Sequence, residues 1–257
     1  MHFGARTIVP ESVVEPAGYF ETNVIGTFNL LEAMREHGVE MIVLSSTAAV
    51  YGVPETLPVT EETLVNPINP YGHSKLMMER MAEAYRVAYG LRYAALRYFN
   101  VAGASEDHGE DHHPETHVIP LALQAASGQR DHFAIYGEDY ATTDGTAVRD
   151  YVHVLDLIDA HLAALSKLAG GASLGPLNLG TKGGFSVREV VAAVEAVTGT
   201  RLPLRHDERR AGDPPALVAD SARARHLLAW TPTRSTLPEM VGSAWAWMQR
   251  HPNGYGT

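Results

Sequence analysis

The chain has 257 residues, 45% of them hydrophobic, and a formal net charge of −10. This allows one large domain or two small ones with an ample core, and it excludes intrinsic disorder. The acidic balance argues against a nucleic-acid partner. No apolar run approaches the roughly 18 residues of a membrane span, and the start does not read as a secretory leader. With no cysteine, disulfides and thiolate metal sites are excluded, and a cytoplasmic protein without a membrane partner is expected.

In chain order, Met1 to Ala5 reads as the end of a strand already under way, and Glu11 to Pro16 as a polar loop. A helix is predicted over 18–37, with Phe20, Val24, Thr27, Phe28, Leu31 and Met34 at helical spacing and Gly38 just past its end. Residues 40–44 read as a short buried strand running into Ser45-Ser46-Thr47. After a loop rich in Pro and Thr, Pro70 suits the first turn of a helix that ends near Gly90. Leu91 to Phe99 is a second β-prone run. Strands alternating with long helices predict an α/β, doubly wound parallel sheet.

The pattern changes after Asn100. Gly103 to Glu115 is an acidic, His-rich loop, Thr116 to Gly128 a helix, Phe133 to Tyr136 a short strand and Asp139 to Arg149 an irregular loop. Further helices are predicted over 154–168, from Ser186 with a capping-box pattern to Glu189, from a cap at Asp220 to Leu228, and from Ser235 to Arg250. Strands are predicted at 176–179 and 202–205. The division expected is 1–104 as a nucleotide-binding part, to which 151–181 returns, and 105–257 as a smaller α/β substrate-binding domain.

Chemistry concentrates at Tyr71-Gly72-His73-Ser74-Lys75. Tyr71 and Lys75 are four apart and share one helical face. Bringing a phenol from a pKa of about 10 to about 7 requires roughly 4 kcal/mol of preference for the phenolate. A cation about 4–6 Å away in a partly buried site supplies about 3–4 kcal/mol. A Tyr-x-x-x-Lys pair also arises by chance on helix surfaces. A strand ending in hydroxyls just upstream makes the combination more specific, because open α/β sheets bind ligands at the carboxyl ends of their strands.

Several longer stretches resemble the extended short-chain dehydrogenase/reductases, and within them the NAD-dependent sugar-nucleotide epimerases. They include HFGARTIVPESV (2–13), YFETNVIGTFNLLEAM (19–34), LSSTAAVYG (44–52), NPYGHSK (69–75), LRYFNVAGA (96–104), YGEDYATTDGTAVRDYVHVLDL (136–157) and RRAGDPPALVAD (209–220). The most specific is the stretch holding Gly145, Val148-Arg149-Asp150-Tyr151 and His153. The resemblance implies interconversion of UDP-galactose and UDP-glucose by transient oxidation at C4, with NAD as cofactor. Tyr71 would be the base, Lys75 would hold the nicotinamide ribose and acidify Tyr71, and Thr47 would hydrogen-bond the 4-oxygen. Phe3, Gly4, Ala5, Asn23 and Phe99 match positions near the cofactor, together with Tyr71 and Lys75. Asn100, His117, Tyr136, Arg149, Arg210 and Asp213 match positions around the UDP-sugar, and paired guanidinium forks suit a diphosphate independently of any resemblance. Leu217 stands where relatives limit the sugar pocket. Ala48-Ala49 replace the Asp-Glu of the related 4,6-dehydratases, so epimerisation without elimination is expected. The resemblance also implies a homodimer through helices 18–37 and 69–89.

Measured against that family, the chain lacks the opening strand, glycine-rich turn and helix, on the order of 75 residues and most of the first half of the sheet. A truncated Rossmann-type sheet with weak or no NAD binding is therefore expected. Two other readings stay open: an epimerase of another UDP-sugar (pentose, uronate or N-acetylhexosamine), and a non-catalytic UDP-sugar-binding remnant. His108, His112, His113 and His117 stand among Asp107, Glu110 and Asp111. Consecutive histidines rarely ligate one ion, so no metal is expected there.

Overall fold

The structure is a computed structural model and describes residues 1–209 and 214–256. The first part of the chain forms α1 (Val9–Val14), α2 (Pro16–Tyr19), a π-helical turn (Phe20–Ile25), α3 (Gly26–Glu36), β1 (Met41–Thr47), α4 (Pro70–Tyr89) and β2 (Arg92–Tyr98). Then come β3 (Asn100–Ala102), α5 (Val118–Ala126), β4 (Phe133–Tyr136), β5 (Val148–Arg149), β6 (Tyr151–His153), α6 (Val154–Ala169) and β7 (Gly175–Leu179). The last part holds β8 (Phe185–Ser186), α7 (Val187–Thr198), β9 (Leu204–Asp207), β10 (Ala216–Leu217), α8 (Ala222–Leu228) and α9 (Leu237–Arg250). No described helix is long and apolar enough to cross a membrane.

Two compact units emerge. The first comprises Met1–Phe99, Asp159–Leu179 and Ala219–Trp230. Its sheet is parallel in the order β1-β2-β7, with Met41 opposite Arg92 and Ala94 opposite Gly175. His2 adds a parallel bridge to Leu44, donating its N–H to Val43 O at 2.8 Å and accepting from Ser45 N at 3.1 Å, in keeping with the strand-end reading of residues 1–5. Leu31 and Met34 of α3 and Ala82 of α4 bury against Ile42, Leu44, Tyr93 and Ala95 of the strands. These alternating crossovers are why the apolar residues of β1 and β2 run almost continuously, since a parallel sheet is covered on both faces.

The second unit holds Asn100–Ile158 and the described parts of 180–218 and 231–257. It contains the three-stranded sheet β10-β5-β8 and the parallel pairs β3-β6 and β4-β9. α5, α7 and α9 bury Ile119, Leu123, Val190, Val194, Met240 and Val241 in one core. Both halves of the Ser186/Glu189 capping box form.

The structure corrects several boundaries. The first unit ends at Phe99, the return is 159–179, and 219–230, expected in the second domain, belongs to the first unit. The helix predicted over 18–37 is interrupted by the π-helical turn, and α1 takes in residues 11–14 of the loop expected over 11–16. Asp220 is not the N-cap of α8. Ser221 is, and Asp220 Oδ1 accepts from Ala222 N at 2.8 Å. The last helix is capped by Thr236 rather than Ser235, whose hydroxyl is committed to Asp156 at 2.6 Å.

Candidate active site

Two segments of the first unit bring the expected catalytic residues together. β1 ends in Ser45-Ser46-Thr47, and side-chain alternation sends Ser46 to the face opposite Ser45 and Thr47. Thr47 caps the 3₁₀ turn that follows, its Oγ1 accepting from Ala49 N at 3.1 Å. α4 starts at Pro70 with Asn69 as N-cap, Oδ1 accepting from Gly72 N at 2.8 Å. A Cβ on Gly72 would lie 2.7 Å from Ala49 O. Glycine therefore lets the start of α4 close onto the turn after Thr47, and Tyr71 and Thr47 become hydrogen-bonded neighbours.

Lys75 lies one turn further along the same face. Its side chain is almost fully buried, and Nζ donates to Ser45 O at 2.9 Å. Burial pulls its pKa down to about 8. Burial also pushes the Tyr71 phenol above its usual value, and the Thr47 hydrogen bond only partly opposes this. In this arrangement desolvation disfavours the phenolate more than Thr47 favours it, while the ammonium is itself desolvated and donates to a carbonyl.

A second layer fixes this pair. Asn23, fully buried, sits in the π-helical turn. Its Nδ2 donates to Ser74 Oγ at 2.9 Å and to Arg6 O at 3.1 Å, and its Oδ1 accepts from Arg6 N at 2.8 Å. Ser74 Oγ in turn donates to Tyr71 O at 2.8 Å. π-helical turns inside helices are frequent at functional sites. Here the turn locks the 3–6 segment to the start of α4. The Phe3 and His161 rings meet at a tilt of 35° with centroids 5.2 Å apart, and His161 Nε2 lies 2.5 Å from Tyr98 Oη. Gly4 is exposed, Ala5 is half-buried, and Phe99 is buried beside the sheet, its N–H donating to Leu179 O at 3.3 Å. The field of Lys75 reaches His2, whose pKa is lowered first by burial and then by that charge.

Sequence reasoning missed the network that pins α4 to the sheet. Glu79, one turn beyond Lys75, pairs with Arg97 of β2 at 2.6 Å, both side chains buried. Ser46 Oγ donates to Glu79 at 2.5 Å, Arg97 Nη1 donates to Tyr51 Oη at 2.7 Å, and Tyr51 donates to Asn178 of β7 at 2.7 Å. The i, i+4, i+8 spacing of Tyr71, Lys75 and Glu79 was the available signal.

The residues matched to the UDP-sugar fall in the second unit. Asn100 opens β3, its N–H donating to Asp150 O at 2.9 Å. Tyr136 ends β4, opposite Asp207 of β9. Arg149 lies on β5 opposite Leu217 of β10, its Nη1 donating to Val148 O at 2.8 Å. His117 is the N-cap of α5, and contacts with Glu110 and Glu115 raise it to about 10. Arg210 and Asp213 lie outside the described residues.

Residues 1–180 match the NAD dependent epimerase/dehydratase family. Over its full length the chain is 50% identical to a UDP-glucose 4-epimerase of Lacticaseibacillus casei, of which it covers 78%. Among solved structures, the UDP-glucose 4-epimerase of Brucella ovis in complex with NAD superposes with a TM-score of 0.93 at 48% identity, covering 95% of this chain and 76% of that one. The UDP-glucose 4-epimerase of Bifidobacterium longum in complex with NAD+ and UDP gives 0.92 at 39% identity, covering 99% and 77%. The hydroxyl strand end, the Tyr71–Lys75 turn and these matches lead to one conclusion: the chain belongs to the NAD-dependent epimerase/dehydratase family.

Proposed function

We propose that this protein interconverts UDP-galactose and UDP-glucose by NAD-dependent oxidation and reduction at C4. The observation that carries the reading is the placement of Tyr71 against Thr47 with Lys75 one turn behind it. The residues fit the cofactor. Lys75 is a buried ammonium with three N–H groups, one of which donates to Ser45 O. A ribose diol offers acceptors of the kind the other two need. Asn23, Phe3, Gly4, Ala5 and Phe99 are the further candidates to hold it. When bound, NAD supplies the hydride acceptor and donor for C4.

Tyr71 takes the proton from the sugar 4-hydroxyl and returns it, and Thr47 holds the 4-oxygen by hydrogen bond. Lys75, at about 8, remains mostly protonated at pH 7 and favours the phenolate as the proton leaves. In the second unit, Asn100, His117, Tyr136 and Arg149 bind the UDP portion, with Arg149 offering a guanidinium to the diphosphate. Leu217 stands beside Arg149 in strand register and bears on sugar size. We assign the cofactor to the first unit and the uridine diphosphate to the second. A homodimer fits the apolar side chains that α3 and α4 leave exposed, among them Phe28, Met77 and Val87.

The test is conversion of UDP-galactose by the chain with added NAD, beside a panel of UDP-pentose, UDP-uronate and UDP-N-acetylhexosamine. Turnover highest on UDP-galactose supports the reading. Turnover confined to another sugar reassigns the substrate, and UDP binding without turnover on any sugar leaves a non-catalytic binder.

A further inference from the structure

In the first unit, α4, β2, α8 and the segment 173–176 line a cavity of about 400 Å³ that holds four guanidinium groups, those of Arg80, Arg86, Arg97 and Arg223. Two of them are balanced by carboxylates of the same cavity wall. Arg97 pairs with Glu79 at 2.6 Å and Arg86 with Glu83 at 2.8 Å. The other two meet no carboxylate among the described residues. Arg223 Nη2 donates to the Leu174 carbonyl at 3.1 Å, and Arg80 acts on Glu83 only through its field. Even the buried Arg97 has donors to spare. Its Nε and Nη2 donate to Glu79 and its Nη1 to Tyr51, which leaves one N–H on each Nη without a partner among the described residues. Gly175 opens the wall between β2 and α8. A Cβ there would lie 3.8 Å from Tyr93 Oη and 4.0 Å from Arg223 Nη2, so the hydroxyl and the guanidinium face one shared space.

We propose that this cavity binds a small molecule bearing a phosphate group, separately from the cofactor and the nucleotide-sugar. Four guanidiniums against two carboxylates leave two positive charges uncompensated, which matches a phosphate dianion. The chain as a whole is strongly acidic, so the cavity reverses the prevailing sign of the surface and gathers anions. All four cations are arginines, whose planar forks meet phosphate oxygens two at a time; a lysine would bring charge without that geometry. The volume falls within the roughly 300–1,000 Å³ of small-molecule sites. It leaves space beyond the phosphate for an organic group against Tyr93, Leu174 and Pro176. None of the residues lining it is assigned to the cofactor or to the UDP-sugar. The bland alternative is a set of solvated surface arginines, which would hold phosphate no better than chloride. The sequence hides the site because its guanidiniums come from three elements, and only the fold brings Arg223 of α8 beside those of α4 and β2.

The full chain is titrated with inorganic phosphate and with glycerol phosphate, each against potassium chloride of matched ionic strength. Binding is read from phosphorus NMR line widths and from the unfolding midpoint. One saturable site per chain is expected. Arg223→Gln and Arg80→Gln are each expected to weaken it by about 10-fold, whereas Arg201→Gln, outside the cavity, leaves it unchanged. Tighter binding of the ester supports the proposal with an organic group in the rest of the cavity, and equal affinities support it with inorganic phosphate as the ligand. Circular dichroism and light scattering check that each variant keeps its fold and assembly. Binding that does not saturate, or wild-type affinity in both folded variants, overturns the proposal. So does binding that survives both substitutions and is lost in Arg149→Gln, which would place the phosphate at the UDP subsite. No readout depends on epimerase turnover, so this site and the proposed reaction stand or fall separately.

Discussion

Lys75 sets chemistry against stability at a single residue. Its ammonium titrates near 8 in the folded chain, against the ordinary 10.5. Between those values the unfolded chain holds more protons, so folding stability rises with pH through that window and is lowest, from this group, below it. Lys75→Met is expected to raise unfolding stability at pH 7 by about 1–3 kcal/mol, after allowing for the donor lost to Ser45 O, while removing turnover. Urea denaturation checks the first half and an epimerase assay the second; a variant less stable than wild type at pH 7 would contradict the buried-charge account. The Tyr71–Lys75 pairing was legible because a helix repeats every 3.6 residues. The Ser45 carbonyl that anchors Lys75 was not, because every residue carries a carbonyl and only the fold selects one.

At the scale of elements, α4 carries the site and Gly72 sets how closely it approaches the turn after Thr47. Gly72→Ala places a methyl 2.7 Å from Ala49 O. Because the clash is with backbone, the helix start must shift. The expected result is a loss of about 1–3 kcal/mol in stability and, from displacement of Tyr71, a fall in kcat of about 10²-fold. Thermal unfolding and steady-state kinetics check both, and an unchanged kcat would show that the approach is not needed. α4 itself was plain in the sequence, with Pro at its start and Gly just past its end. The π-helical turn was invisible, since Phe20 to Ile25 keep an apolar pattern that a regular helix would also show. α1 was missed because six residues are too few for a periodic signal.

For the whole molecule, the alternation of strands and helices was enough to give a parallel doubly wound sheet, and the register of β1, β2 and β7 bears that out. Which later segments return to that sheet was only partly legible. α8 is short, and nothing in Ala222–Leu228 distinguishes a helix of one unit from a helix of the other. The exposed apolar side chains of α3 and α4 make their prediction at this scale. Phe28→Glu, at a ring 47% exposed, is expected to shift a dimer to monomer in gel filtration with light scattering. A wild-type chain that elutes as a monomer would refute the dimer.

The proposed reaction depends most directly on the Tyr71 phenol, and it is tested by the rate at which Tyr71→Phe converts UDP-galactose with saturating NAD. The account predicts a fall in kcat of about 10²–10⁴-fold, with UDP affinity and the unfolding midpoint close to wild type. A rate within a few-fold of wild type would contradict it.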